Sequence, residues 1–278
     1  MKASPKRNLI VFVSLTYVLF WCFLGLTGLL ISLHVPSYVQ TVAKNFCAWT
    51  PTIVVLIMFR QLYPGMSFGE CLKQNFSSRV GPSTFLILLV LQTAIVVLAV
   101  MAQWWTTGGT LNSISLISPS AVLITFVVTA TSGPMGEELG WRGYLLKELS
   151  ARYTLFVSAL LVGIIWGFWH IPLWLLSGYT GTGLLLYAAY FLVSIVSTSC
   201  VITVFYSRQW NLFVPIWIHF LFNFALALVK MDLLTFLGWS SLGYTVLASI
   251  LIVIERKRMF ERRPISAERE AFDQTVAT

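Results

Sequence analysis

The chain has 278 residues, of which 58% are hydrophobic and only 10% are charged. Because a soluble domain typically carries about 25% charged residues, this composition excludes an ordinary water-soluble fold. The net charge of +8 comes from Lys and Arg at the ends of apolar runs, which is typical of membrane topology and not of nucleic-acid binding. The four cysteines are widely separated, which predicts neither a disulfide framework nor a thiolate metal site.

Apolar runs of bilayer-spanning length predict an all-α, polytopic membrane protein with eight transmembrane helices. The predicted spans are residues 9–33, 46–62, 83–103, 119–147, 153–176, 183–206, 211–229 and 233–255. Residues 63–82 mix apolar and charged side chains, which predicts an amphipathic helix at the membrane interface. Residues 1–255 are predicted to form a single membrane-embedded domain, and residues 256–278 a polar cytoplasmic tail.

The distribution of basic residues predicts the orientation. An even number of spans puts both termini on one side of the membrane. With these boundaries, 15 of the 18 Lys and Arg residues lie on that side, Lys44 and Lys230 lie on the other, and Arg142 lies within a span. Because cytoplasmic loops carry an excess of Lys and Arg, both termini are predicted to be cytoplasmic. The short loops favour a prokaryotic cell membrane.

A few polar residues fall at positions where the membrane makes them costly. Glu137 and Glu138 are the acidic residues of the predicted embedded part, and His170 and His219 lie in apolar helices. A charge at the bilayer centre costs roughly 3 kcal/mol or more, so such residues pair, bind a ligand or line a wet cavity. The neighbours of His170 in sequence are bulky and apolar, which predicts a partner on another helix.

The spacing of these residues favours particular pairs. Glu138 and Arg142 are four apart with the acid first, the favoured order for an ion pair along one helix. Glu137 lies about 100° round the same helix, so its carboxylate is not used by this ion pair and remains available to interact with another group. His219 and Asn223 are also four apart, so both point to one face of their helix.

Each polar segment also contains a proline: Pro134, Pro172 and Pro215. A proline inside a helix removes a hydrogen bond and frees a carbonyl. At membrane depth a freed backbone group needs a protein partner or water. Polar side chains beside broken helices therefore predict a hydrated intramembrane site.

A structural interpretation of the same residues stays open. A single His or Asn in a membrane helix is more often a helix–helix contact than a catalytic group, and an isolated Glu–Arg pair is more often structural. Tryptophans are assigned to interfacial belts or packing, with no chemistry. This applies to Trp104, Trp105, Trp141, Trp169, Trp174, Trp210, Trp217 and Trp239.

Three motifs, in this order, resemble one family. The hexapeptide from Glu137 to Arg142 (EELGWR) matches the EExxxR signature of the CAAX-protease and bacteriocin-processing family of intramembrane proteases, which includes the Ras-converting prenyl endopeptidases. His170, preceded by Trp166, resembles the second motif, FxxxH, with Trp in place of the usual Phe. The segment from His219 to Asn223 matches the third motif, HxxxN. The resemblance covers about residues 119–229.

This resemblance implies an eight-helix fold around a conical, water-accessible intramembrane cavity, and an intramembrane endopeptidase acting on a membrane-associated peptide or protein, CAAX-type or other. The implied partners are membrane lipid and this substrate, with no nucleic acid. The resemblance implies roles for six residues: Glu137 as general base, His170 as its partner in activating water, His219 and Asn223 as oxyanion stabilisers, and Glu138 and Arg142 as the pair that holds the geometry.

The cofactor requirement stays open between none and zinc. Glu137, Glu138, His170 and His219 could supply two to three ligands and leave a position for water, as catalytic zinc requires. The chain has no H-E-x-x-H helix, and these residues lie on separate helices. The resemblance itself covers both a metalloprotease and a metal-free glutamate mechanism, and we favour the metal-free one.

Two other functions compete with proteolysis. One is a non-enzymatic membrane scaffold or bacteriocin-immunity-type protein that uses the same fold to bind a membrane peptide. The other is a proton-coupled carrier, since intramembrane carboxylates and histidines also form proton relays. The carrier is less favoured, because the sequence has no visible inverted repeat and its polar residues are confined to three segments.

Overall fold

The computed structural model describes residues 5–108 and 114–262. The fold is helical, with one pair of two-residue strands. The helices are α1 (Pro5–Ser32), α2 (Ser37–Ala48), α3 (Thr50–Ile57), α4 (Phe59–Leu62), α5 (Phe68–Phe76), α6 (Pro82–Thr106), α7 (Pro119–Thr131), α8 (Gly133–Glu138), a π-helix (Leu139–Leu146), α9 (Lys147–Ser150), α10 (Leu155–Trp169), α11 (Ile171–Leu175), α12 (Gly181–Gln209), α13 (Phe213–Leu228), α14 (Leu233–Ile254) and α15 (Arg256–Phe260). The strands are β1 (Ser115–Leu116) and β2 (Val229–Lys230).

Some of the predicted spans form single helices that are long enough to cross a membrane. Within the described ranges, four helices are long and apolar enough to cross a bilayer, namely α1, α6, α12 and α14, while α10 and α13 are shorter apolar helices. The other two predicted spans, 46–62 and 119–147, are broken into short consecutive helices. The prediction of an all-α polytopic membrane protein is therefore confirmed.

The predicted amphipathic segment, residues 63–82, contains helix α5. A capping box begins it: the backbone N–H of Glu70 donates to Ser67 Oγ (3.2 Å), and the backbone N–H of Ser67 donates to Glu70 Oε2 (2.7 Å). The backbone N–H of Ser67, followed by its side-chain hydroxyl, holds the pKa of the exposed Glu70 carboxyl below its ordinary value. Cys71 and Asn75 form the buried face, so α5 is docked onto the protein on one side.

Helices α12 and α14 run parallel to each other. The hydroxyls of Ser197 and Thr245, 48 positions apart, lie at 3.0 Å. Arg208 and Glu255, 47 positions apart, form an ion pair at 2.6 Å. Because the sequence offset is nearly constant along the interface, both helices must run in the same direction, and α13, which follows α12 in the chain, returns to the end at which α14 begins.

Contacts between connecting segments bring the ends of particular helices together. Strands β1 and β2 pair antiparallel, with Ser115 opposite Lys230, so the segment after α6 meets the end of α13. At other helix ends, the Ser78 hydroxyl donates to the Gln209 carbonyl at 2.5 Å, which joins the segment after α5 to the end of α12.

The segment that contains the two glutamates is not one regular helix. Helix α7 ends before Ser132, α8 follows, and the chain then continues as a π-helix. Two glycines allow this segment to approach α3 and the junction between α2 and α3 closely. A Cβ atom on Gly136 would lie 2.7 Å from Trp49 Cδ1, and one on Gly140 would lie 2.5 Å from the Cβ of Pro51. Any larger side chain at either position would separate the two elements.

Helix α15 lies at the start of the predicted polar tail. The chain remains helical through α15, where Met259 is fully buried and the ring of Phe260 lies 4.8 Å from that of Phe156. Two apolar side chains among the basic ones give this short helix a surface on α10 to pack against, so the first part of the predicted tail is folded onto the protein. The rest of the predicted tail, residues 263–278, lies outside the described residues.

Candidate active site

Glu137 is held by two indole groups. The Nε1–H of Trp166 donates to Glu137 Oε2 at 2.5 Å, and the Nε1–H of Trp141 donates to the same oxygen at 3.3 Å. Glu137 is 3% exposed, so these bonds form away from bulk solvent. Both bonds are to Oε2, and they therefore orient the carboxylate so that Oε1 can act on another group.

Glu138 joins two helices through a single oxygen. Arg142 Nη1 donates to Glu138 Oε1 at 2.9 Å, as the spacing predicted, and both side chains are fully buried. His219 Nδ1, on α13, lies 2.7 Å from the same oxygen. A histidine whose Nδ1–H is bonded to a carboxylate has its ring orientation set by that bond. Glu138 therefore aims the other ring nitrogen of His219, Nε2, elsewhere.

Three polar atoms surround one point beside Gly133. A Cβ atom on this glycine would lie 2.8 Å from Glu137 Oε1, 3.1 Å from His219 Nε2 and 3.2 Å from Asn223 Nδ2. Glu137 Oε1 and His219 Nε2 take no part in the bonds to the indoles and to Glu138. Together with Asn223 Nδ2, they converge in the space beside Gly133. The prediction that His219 and Asn223 share a helix face is confirmed.

His170 lies next to the same tryptophan but bonds differently. Its Nδ1 lies 2.8 Å from the Trp166 carbonyl, one turn earlier on its own helix, so the prediction of a bonded partner on another helix was wrong. The last carbonyls of a helix lack intrahelical donors, and the imidazole at the end of α10 occupies one of them. The Trp166 ring lies 6.2 Å from the ring of His170 and 4.9 Å from that of His219. His170 is thus placed beside the cluster, one aromatic ring away.

The role of two tryptophans was missed from the sequence. Trp141 was assigned to packing, and Trp166 was treated as an aromatic replacement for Phe, yet both donate to Glu137. A signal was present for Trp141, which follows Glu137 by four residues and so lies on the same helix face. The bond from Trp166 crosses between helices and has no equivalent signal in the sequence.

The candidate zinc ligands do not assemble into a metal site. Within residues 5–108 and 114–262, no group of three or more His, Cys, Asp or Glu side chains is arranged to hold a metal ion. Glu138 Oε1 is already shared by Arg142 and His219, and His170 is turned to a backbone carbonyl. The residues therefore do not fit the predicted ligand set, and no step below passes through a metal.

Comparison with known proteins agrees with the family resemblance that the three motifs indicated. Residues 119–225 match the family of type II CAAX prenyl endopeptidases described as Rce1-like. The chain is also 26% identical, over 281 residues, to CAAX prenyl protease 2 of Methanococcus maripaludis, a match that covers 94% of this chain and 97% of that protein. The resemblance predicted from the three motifs is therefore confirmed: the chain is similar to the CAAX prenyl endopeptidases, and the matching region contains the whole candidate site.

Proposed function

We propose that the protein is an intramembrane endopeptidase in which Glu137 activates the water that attacks a peptide bond. The observation that carries this proposal is the convergence of Glu137 Oε1, His219 Nε2 and Asn223 Nδ2 on one point beside Gly133. Peptide hydrolysis needs a base for water and donors for the developing oxyanion within reach of the same carbonyl. A carboxylate oxygen, an imidazole nitrogen and an amide nitrogen around one point meet this requirement.

Glu137 acts as the base. Its Oε1 accepts a proton from water while the water oxygen bonds to the carbonyl carbon. The indole donors on Oε2 keep the carboxylate in one orientation during this transfer. His170, whose Nδ1 side faces the Trp166 carbonyl, presents Nε2 as its remaining ring nitrogen, and this atom serves as a second acceptor for the water.

His219 and Asn223 stabilise the tetrahedral intermediate. For His219 Nε2 to donate to the oxyanion, its ring must carry both protons, and Glu138 supplies the carboxylate that stabilises this imidazolium. A donor aimed at a developing oxyanion in a water-poor site contributes about 3–4 kcal/mol. When the C–N bond breaks, the proton on Glu137 passes to the leaving amine, which restores the carboxylate.

The membrane arrangement that we propose has eight spans around a water-accessible cavity, one membrane-embedded domain and both termini in the cytoplasm. The loop contacts support it. The β1–β2 pair joins two loops predicted to be outside, and the Ser78–Gln209 bond joins two predicted to be cytoplasmic. The parallel course of α12 and α14 also agrees with alternating spans. The break at Gly133 and the polar cluster support the presence of water inside the protein.

The substrate that we propose is a membrane-associated peptide, with a prenylated CAAX sequence as the first candidate. This substrate class comes from the name of the archaeal relative, a CAAX prenyl protease. The residues of the site supply hydrolytic chemistry for any peptide bond, so the lipid preference must come from contacts outside the cluster.

The test compares wild type with Glu137→Gln in purified, lipid-reconstituted protein. The substrate is a synthetic prenylated CAAX peptide with a fluorophore and a quencher on opposite sides of the prenyl-cysteine. Because a general base typically contributes 10²–10⁴-fold, the variant should lose at least about 100-fold in kcat while its thermal stability changes little. An unprenylated peptide of the same sequence measures the contribution of the lipid.

The matched control is Glu148→Gln, the same chemical change in a partly exposed ion pair with Arg152. This variant should keep wild-type activity. If wild type cleaves neither peptide, and new peptide termini in the membrane proteome are identical for wild type and Glu137→Gln, the scaffold function replaces the protease. Uptake that depends on Glu137 without any cleavage would instead identify a carrier.

A further inference from the structure

Helix α1 lies outside residues 119–225, the part of the chain that matches the family, yet one of its faces packs against the candidate site. Phe12, Thr16 and Phe20 form this face and are at most 2% exposed. Ile10 and Val18, which point in other directions, are exposed. Because side chains four residues apart lie on one stripe of a helix, α1 buries a narrow stripe against the rest of the protein.

The buried stripe of α1 contacts the aromatic rings beside the site. The Phe12 ring stands edge-on to that of Trp141, with centroids 6.1 Å apart and planes at 85°. The Phe20 ring lies 4.0 Å from that of Trp169. Trp169 in turn lies 5.8 Å from the Trp141 ring and 4.7 Å from the imidazole of His170. Helix α1 therefore forms an outer aromatic layer behind one of the two indole donors and behind His170.

A hydrogen bond fixes α1 to α10 one residue before the other indole donor. The hydroxyl of Tyr17 donates to the carbonyl of Ile165 at 2.5 Å, although the two residues are 148 positions apart. Trp166 follows Ile165, and its Nε1–H donates to Glu137 Oε2 at 2.5 Å. Because neighbouring residues of a helix share one rigid, internally hydrogen-bonded backbone, the Tyr17 hydroxyl holds the backbone position from which Trp166 reaches Glu137.

These contacts matter because the indoles determine where the free carboxylate oxygen lies. Both indoles bond to Glu137 Oε2, so a displaced indole would turn Oε1 away from its present position. Hydrogen bonds weaken steeply as their geometry departs from linear, and a close-packed interior transmits a shift of one group to its neighbours. A misplacement of about 1 Å that originates far from the chemistry can lower a rate by about 100-fold.

We propose that helix α1 positions the catalytic base, and that Tyr17 is a positioning residue that acts on Glu137 through Trp166. The Tyr17 hydroxyl keeps α10 in place against α1, and Trp166 then holds one carboxylate oxygen. The other oxygen is thereby kept at the point beside Gly133. The ring contacts of α1 support the same carboxylate through the second indole. The effect of Tyr17 on the reaction rests on the proposed function, whereas its effect on the Trp166 indole does not.

Indole NMR of Tyr17→Phe tests this contact without any need for activity. The tryptophans are labelled with ¹⁵N, and the Nε1–H resonance of Trp166 is assigned from its loss in Trp166→Phe. Tyr17→Phe keeps the aromatic ring and removes only the hydroxyl, so the ring-current contribution of this side chain is retained. The Trp166 proton should move upfield because its bond to Glu137 lengthens, while the proton of Trp239, on α14, should not move. An unchanged Trp166 resonance would overturn the positioning role.

Kinetics of Tyr17→Phe test the effect on the reaction, with Tyr244→Phe as the matched control. Each change removes one hydroxyl that bonds between helices, to the carbonyl of Ile165 on α10 and to the side chain of Gln92 on α6, respectively. One hydrogen bond is worth up to about 10-fold in a rate. Tyr17→Phe should therefore lower kcat by about 3- to 10-fold at unchanged KM, and Tyr244→Phe should leave kcat as in wild type.

The kinetic outcomes separate positioning from a general loss of packing. Unchanged kcat in Tyr17→Phe, or an equal loss in both variants, would overturn the role. A loss that appears in KM with kcat unchanged would also overturn it, since the hydroxyl is bonded to α10 and is not proposed to contact the substrate. If wild type cleaves no peptide, the proposed function fails, and the Trp166 resonance still decides whether Tyr17 holds the indole.

Discussion

Two buried polar clusters of this membrane protein are built in opposite ways. Between α6 and α14, the hydroxyl of Tyr244 donates to the Gln92 side chain, and this neutral pair lies among apolar side chains. Between α8, the π-helix and α13, the cluster is charged, and several of its polar atoms converge without bonding to one another. In the first cluster the hydroxyl and the amide oxygen bond to each other, whereas the second cluster leaves polar atoms available for other groups.

This difference distinguishes buried polar groups that only join helices from buried polar groups that remain available to bind or react. A polar pair whose donors and acceptors match each other joins helices and can be replaced by apolar groups of the same shape at little cost. A cluster of buried charged groups in which several polar atoms stay unbonded carries a larger cost, and the proposed hydrolysis would give these atoms a function. The bonding pattern therefore distinguishes the two clusters, although both are polar and buried.

If the two clusters differ in this way, the largest loss of stability should come from Glu138→Ala in the charged cluster. The change leaves the fully buried Arg142 without its partner, and breaking a buried ion pair costs about 3–5 kcal/mol. The free energy of unfolding in mixed detergent micelles should fall by about this amount. Glu148→Ala, which breaks a partly exposed pair with Arg152, should cost about 1 kcal/mol or less. Equal losses in the two variants would show that burial of the Glu138 pair does not matter for stability.

A smaller effect is expected from Gly140→Ala, which tests the backbone that carries the charged cluster. The new Cβ would lie 2.5 Å from the Cβ of Pro51 and 2.8 Å from its carbonyl carbon, and backbone atoms cannot move aside cheaply. Overpacking of this kind costs about 1–3 kcal/mol, measured as a lower melting temperature. The control is Gly28→Ala in α1, where nothing lies within 4 Å of the added atom. A melting temperature unchanged in both variants would contradict the close approach to α3.

The smallest effect is expected from replacing the neutral cluster by the double variant Gln92→Leu with Tyr244→Phe. Because both partners are removed together, neither leaves the other unsatisfied, and the change should shift the unfolding free energy by less than about 1 kcal/mol. Activity toward the prenylated peptide should be retained. The single variant Gln92→Leu should destabilise the protein more than the double variant does. A double variant that loses activity would remove the distinction between the two clusters.

The sequence alone determined the class of protein and the contacts that lie within one helix. Composition and apolar run length predicted an all-α membrane protein, because the bilayer accepts only backbones that satisfy their own hydrogen bonds. Spacing predicted the Glu138–Arg142 pair and the common face of His219 and Asn223, because residues four apart are neighbours on any helix. These inferences need the helical repeat and no knowledge of how the helices pack.

Only the tertiary structure decided which side chains meet across helices. The bond of Glu138 to His219 and that of Trp166 to Glu137 join residues 81 and 29 positions apart. Their formation depends on the packing allowed by Gly136 and Gly140 against α3 and on the change from α-helix to π-helix. Such packing arises from many small contacts summed over several elements, and no spacing in the chain records it. For the same reason, the sequence offered a zinc ligand set that the fold did not assemble.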